Sequence, residues 1–96
     1  MNKNFLKDLG FGESIEEKIV ENSSIQMYES LILNEYECIK IISFLRKMGI
    51  KCIKELIIYK TELFLNTLDE VVVKFNNVDS TIIDKINKNY LYIENI

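Results

Sequence analysis

The sequence predicts an all-α fold, a compact bundle of five to seven short helices, and three observations carry that expectation. Proline is absent, so no residue type that breaks a helix interior outright is present. Glycine occurs only at positions 10, 12 and 49, which confines the strongest helix stops to two places. Apolar residues recur mostly at three- and four-residue steps, the spacing that gathers them on one side of a helix. A chain of 96 residues is expected to form a single helical domain over 1–96, burying somewhat over ~60% of the surface its unfolded form exposes.

A first short helix is expected over about 3–9 and a second over about 14–21, separated by Gly10-Phe11-Gly12. Ser23 followed by Gln26 has the spacing of a capping box, in which each side chain satisfies a free backbone donor, so a third helix is expected to begin there. Its apolar positions Ile25, Tyr28, Leu31 and Ile32 run up to Asn34. Asn34 and Glu37 then repeat the cap-like spacing ahead of Ile39, Ile42, Leu45 and Met48, which leaves open whether 24–48 is one helix or two.

Gly49 stands where a left-handed C-terminal stop belongs, and Ile53-Lys54-Glu55-Leu56-Ile57 reads as a short helix after the turn. Thr61 and Thr67-Leu68-Asp69-Glu70 have the form of two further helix starts. Val71-Val72-Val73 favours a strand by propensity. Phe64, Leu68, Val71 and Phe75 nevertheless keep helical spacing and no partner strand is apparent, so the segment is read as helical. The last helix is expected from Asp79 or Ser80, with Ile82, Ile83 and Ile86 on one face. Tyr90, Leu91, Tyr92 and Ile93 form an apolar end that either packs back on the core or stays exposed as a contact surface.

Apolar residues make up 48% and charged residues 28%, a globular balance too hydrophobic for a disordered tail. No apolar run reaches the ~18 residues of a membrane span, and the opening Met1-Asn2-Lys3-Asn4-Phe5 leads into charge, so a cytoplasmic protein without a membrane partner is expected. Cys38 and Cys52 lie on apolar-periodic segments without close cysteine spacing and read as buried, reduced thiols. Histidine is absent, which removes the commonest general base and the commonest transition-metal ligand. Glu16 with Glu17, and Asp69 with Glu70, are adjacent acids of the kind found on solvated helix faces. The stretch after Gly12 lacks the Gly-Lys-(Ser/Thr) ending of a nucleotide loop. No enzymatic activity, cofactor, metal or small-molecule substrate is expected.

The net charge of −3 is unevenly spread. Residues 1–37 carry a net of −5, residues 38–60 a net of +5 and residues 61–96 a net of −3. A basic segment between two acidic ones suits an anion-binding surface, unless its lysines pair with neighbouring acids.

A weak internal repeat crosses this pattern. Phe5-Leu6-Lys7-Asp8-Leu9-Gly10-Phe11 matches Phe44-Leu45-Arg46-Lys47-Met48-Gly49-Ile50 in chemical type at each position, and each is followed by a short amphipathic stretch, giving units at 5–19 and 44–57. A more degraded third copy is read at 73–86, with Asn76 and Asn77 in place of the glycine and expected to supply its positive φ. A glycine turn between two short helices can leave backbone N–H groups facing outward, where they hold a phosphate.

Gly10-Phe11-Gly12-Glu13-Ser14-Ile15-Glu16-Glu17-Lys18-Ile19 resembles a helix-hairpin-helix motif, within the SAM-like group of helical folds. Leu45-Arg46-Lys47-Met48-Gly49-Ile50-Lys51-Cys52-Ile53-Lys54-Glu55-Leu56, followed by Tyr59-Lys60-Thr61-Glu62, is similar to the first half of the C-terminal domain of the bacterial RNA polymerase alpha subunit. That resemblance implies helix-hairpin-helix-like units and a transcription-associated module that binds DNA. It also implies contacts at Lys40 and Ser43, where the family has an arginine and an asparagine. The family's second hairpin, with its glycine, lysine and serine, corresponds only loosely to Val78, Asp79 and Thr81, and an aspartate there would repel a phosphate. At the N-terminal hairpin Glu13, Glu16, Glu17 and Glu21 crowd the anion's place.

Two partner classes follow. The first is nucleic acid, its backbone held by Lys40, Ser43, Arg46, Lys47, Gly49, Lys51 and Lys54. The second is another protein, met by an acidic N-terminal face or by the Tyr90–Ile93 end on a fold that has lost its phosphate sites. Partner identity and oligomeric state stay open.

Overall fold

The computed structural model describes residues 4–96, and among them every regular element is helical. A short π-type segment, Lys7–Phe11, is followed by α1 (Ile15–Asn22), α2 (Ile25–Leu33), α3 (Glu35–Met48) and α4 (Ile53–Tyr59). A 3-10 segment, Thr61–Leu65, leads to α5 (Leu68–Lys74) and α6 (Ser80–Lys88), and a second one, Tyr90–Asn95, ends the chain. The Val71-Val72-Val73 run lies inside α5, as its helical spacing requires. Residue 3, where the first helix is expected to start, lies outside the described residues; Asn4 is in a turn and helix begins at Phe5.

Residues 24–48 form two helices broken at Asn34, whose side chain does not cap α3. Its Nδ2 instead donates to the carbonyls of Phe64 and Asn66, at 2.8 and 3.0 Å, tying the α2–α3 joint to the first 3-10 segment. Glu37, expected to complete that cap, turns its carboxylate to the Leu68 N–H at the start of α5. The capping box at Ser23 is likewise displaced. Ser23 closes α1, its N–H bonded to the Ile19 carbonyl, so the cap of α2 falls to Ser24, whose hydroxyl accepts from the Met27 N–H. Thr67 and Glu70 do form a reciprocal capping box, and Asp79 caps α6 by accepting from the Ile82 N–H. Thr61 begins a 3-10 segment, but its buried hydroxyl points backwards and donates to the Ile57 carbonyl of α4.

Gly10 (φ 95°, ψ 13°) and Gly49 (φ 96°, ψ 9°) adopt the same left-handed conformation, which costs any residue with a Cβ. Around them Leu6 and Leu45, Phe11 and Ile50, Ile15 and Ile53, and Ile19 and Ile57 are all buried. The N-terminal turn is one residue longer, and the addition is Gly12, also at positive φ. The 73–86 segment departs from this plan. Neither Asn76 nor Asn77 has positive φ, and Val73, aligned with buried Leu6, is 75% exposed. The chain turns there by short-range bonds, Asn76 N–H to the Val73 carbonyl and Val78 N–H to that of Phe75, which need no left-handed residue.

One apolar cluster runs from Phe5 to Ile93. α1 packs on α2 and α4, and α3 packs on α5, where the rings of Phe44 and Phe75 meet edge to face at 6.0 Å. The end of the chain packs back: Ile93 is buried, Tyr90 stacks on Tyr59 at 5.3 Å, and Glu94 pairs with Lys60. A radius of gyration of 12.7 Å fits the ~13 Å of a folded chain of about 100 residues. Cys38 is fully buried, whereas Cys52 is only half-buried, its Sγ 3.5 Å from the Ile86 carbonyl, and neither forms a disulfide. Among the described residues no helix is long and apolar enough to cross a membrane.

Candidate functional site

The basic residues take their place from the apolar pattern of α3. Cys38, Ile41, Ile42 and Leu45 face the core. At 100° per residue, Lys40, Ser43, Arg46 and Lys47 then share a solvent-facing arc of ~120°. Gly49 ends the helix with the two bonds of a Schellman stop, Gly49 N–H to the Arg46 carbonyl at 3.1 Å and Ile50 N–H to that of Leu45 at 3.0 Å. Arg46 and Lys47 therefore sit in the last turn, where the helix dipole favours cations.

The Gly49 turn is held from outside by α6. The side chain of Asn87 accepts from the Lys51 N–H at 2.8 Å and donates to the Gly49 carbonyl at 2.9 Å, a two-point clamp on the backbone. The Cγ2 of Ile83 lies 3.6 Å from where a Cβ at position 49 would stand, so the turn rests on α6. Lys88, next to Asn87, adds an exposed cation at the end of that helix. The amides of Gly49, Ile50 and Lys51 are all occupied by intramolecular bonds, so this turn presents its side chains to a ligand and not a nest of free N–H groups.

The two glycine turns lie side by side. Arg46 covers the ring of Phe11, its Cζ 5.4 Å from the centroid, and the Lys54 ammonium lies 3.8 Å from where a Cβ at Gly12 would stand. Sequence separation hides this neighbourhood. Two cations from the second unit overlie the turn of the first, while Glu13, one of the acids crowding that turn, is drawn to Lys7 at 3.2 Å.

Of the seven sequence-derived positions, Arg46, Lys47, Lys51 and Lys54 flank Gly49 along the chain, Arg46 and Lys54 reaching over the Phe11–Gly12 turn and Lys47 lying beside Phe44 and Leu68, and among the described residues none of the four forms an ion pair. Ser43 is exposed one turn before Lys47. Lys40 is different. It pairs with Glu37 at 3.2 Å and lies 4.1 Å above the Tyr36 ring. The Glu37 hydrogen bond holds the Lys40 pKa above its usual value, and the Leu68 N–H together with Lys40 holds the Glu37 carboxyl below its own. Asp79, at the loosely matching second hairpin, spends its carboxylate on the α6 cap.

Asn87 has no signature in the sequence, because its partners lie 36 and 38 residues away and no local pattern marks them. A second feature was also unmarked. Ile39, Phe44 and Leu68, edged by Lys40, Ser43 and Lys47, line a shallow groove between α3 and α5. No family model, curated protein or solved structure matches the chain.

Proposed function

We propose that this chain is a non-catalytic binding module that contacts the phosphate backbone of nucleic acid through Arg46, Lys47, Lys51 and Lys54, in a transcription-associated setting. One observation carries the reading: four cations flank one clamped turn, and among the described residues none is neutralised by an ion pair. Lysine and arginine side chains outside ion pairs attract phosphate and release its counterions, a contact that depends on charge and not on base sequence. The resemblance of 45–56 to the polymerase alpha-subunit domain supports the same direction. Lys40, already paired with Glu37, adds little net charge to the contact, and Gly49 serves the turn.

The test is binding of a generic DNA duplex at low salt, followed by fluorescence anisotropy. The wild-type chain is expected to bind, and the triple reversal Lys47→Glu, Lys51→Glu, Lys54→Glu to lose binding while keeping its helical spectrum. Undetectable wild-type binding, or binding that survives the reversal, rejects the reading. A protein-binding adaptor role on the same helix-hairpin-helix-like plan is the second reading, and the largely apolar groove between α3 and α5 is the observation that favours it.

A further inference from the structure

We infer that two faces of this chain are complementary to each other and join successive copies head to tail. The first face lies along α1 and the start of α2, where Glu16, Glu17 and Glu21 surround Val20 and Ile25. Ile25 is 45% exposed, and among the described residues none of the three glutamates forms an ion pair. Lys18, the one cation of α1, is not among the residues lining this groove. The second face is the α3–α5 groove, with Ile39, Phe44 and Leu68 as its floor. Lys40 there is offset by Glu37, so Lys47 on the groove's edge sets the sign.

Each face is an apolar strip, the first edged by three carboxylates outside ion pairs and the second by the Lys47 ammonium, so their signs are opposite. The two faces share no helix, so one copy can offer its acidic face to the basic face of the next while its own basic face stays free. Such a contact is heterologous, and whether it closes into a ring or runs on is set by the rotation between copies. Charge complementarity selects the partner, and the apolar strips supply the burial that exposed ion pairs alone do not.

The inference does not depend on nucleic acid, and it is tested without any. Sedimentation of the purified chain over a micromolar to millimolar series at low salt should show mass rising above that of one chain and falling back at high salt. Glu17→Lys with Glu21→Lys removes one face, and Ser43→Glu with Lys47→Glu removes the other; all four positions are exposed, and circular dichroism checks that each variant is folded. Each double variant alone should stay single, and an equal mixture of the two should associate again. Lys51→Glu with Lys54→Glu, which disarms the proposed phosphate contacts outside the groove, should still self-associate. A wild-type chain that stays single throughout overturns the inference. So does association that survives loss of either face, or a mixture that fails to pair.

Discussion

Replacing Asn87 with alanine should loosen the Gly49 turn without touching the apolar core. The side chain makes two hydrogen bonds, at 2.8 and 2.9 Å, to backbone atoms of Lys51 and Gly49. A hydrogen bond contributes about 0.5–1.5 kcal/mol net, and both of these are open to water, so the lower half of the range applies and the pair is worth about 1–2 kcal/mol. Alanine is the better helix former by about 0.5 kcal/mol, which offsets part of the loss. The net cost is about 1 kcal/mol, or a fall in Tm of about 4–8 °C for a domain of this size. Urea and thermal unfolding followed by circular dichroism measure it, with Asn77→Ala as the exposed control. Hydrogen exchange gives a second readout, because the Lys51 amide loses its only acceptor in this turn and should exchange faster. Stability equal to the control, with unchanged Lys51 protection, would refute the clamp.

Three other sites give outcomes of the same kind. Asn34→Ala removes two bonds to the first 3-10 segment and should cost about 1–3 kcal/mol in unfolding experiments, with exchange rising at the amides of 61–66. Glu37 has a folded-state pKa below its ordinary value of 4.5, first because of the Leu68 N–H and then because of Lys40. Its contribution is therefore complete above about pH 4.5 and lost as pH falls through the lower folded value. Glu37→Gln should be less stable than wild type at neutral pH, and Tm measured down the acid range should show the gap closing; a gap independent of pH contradicts the assignment. Burial pushes the Cys38 thiol up to about 12, with Glu35 adding to the effect, and burial also raises the half-exposed Cys52. Alkylation read by mass spectrometry should modify Cys52 first and Cys38 only as fast as the chain unfolds.

What the sequence reveals of this fold is what neighbouring residues decide among themselves. The Gly49 stop, the Thr67–Glu70 box and the Asp79 cap each close within one helical turn, and all three are present. Asn34 and Glu37 have the same local spacing as a cap, but partners 30 to 32 residues away compete for their side chains and win. Ser23 has the local spacing of a box with Gln26, but the last bond of α1 takes Ser23 and leaves the cap to Ser24. Asn76 and Asn77 mark a turn correctly but not its geometry, since a turn of short-range bonds avoids the cost of positive φ. At the candidate site the cations are legible as a charge run and a periodicity. The Asn87 clamp, the Arg46–Phe11 contact and the approach of Lys54 to Gly12 are not, because each joins separate helices.

Whether the cations beside Gly49 hold phosphate is decided by the salt dependence of duplex binding. Four side chains meeting four phosphates should give a plot of log K against log salt with a slope of about −3.6. Lys51→Gln should reduce that slope by about 0.9 while weakening binding alike on unrelated sequences. A slope near zero, or one unchanged by Lys51→Gln, would mean that the cations around Gly49 do not hold a nucleic-acid backbone.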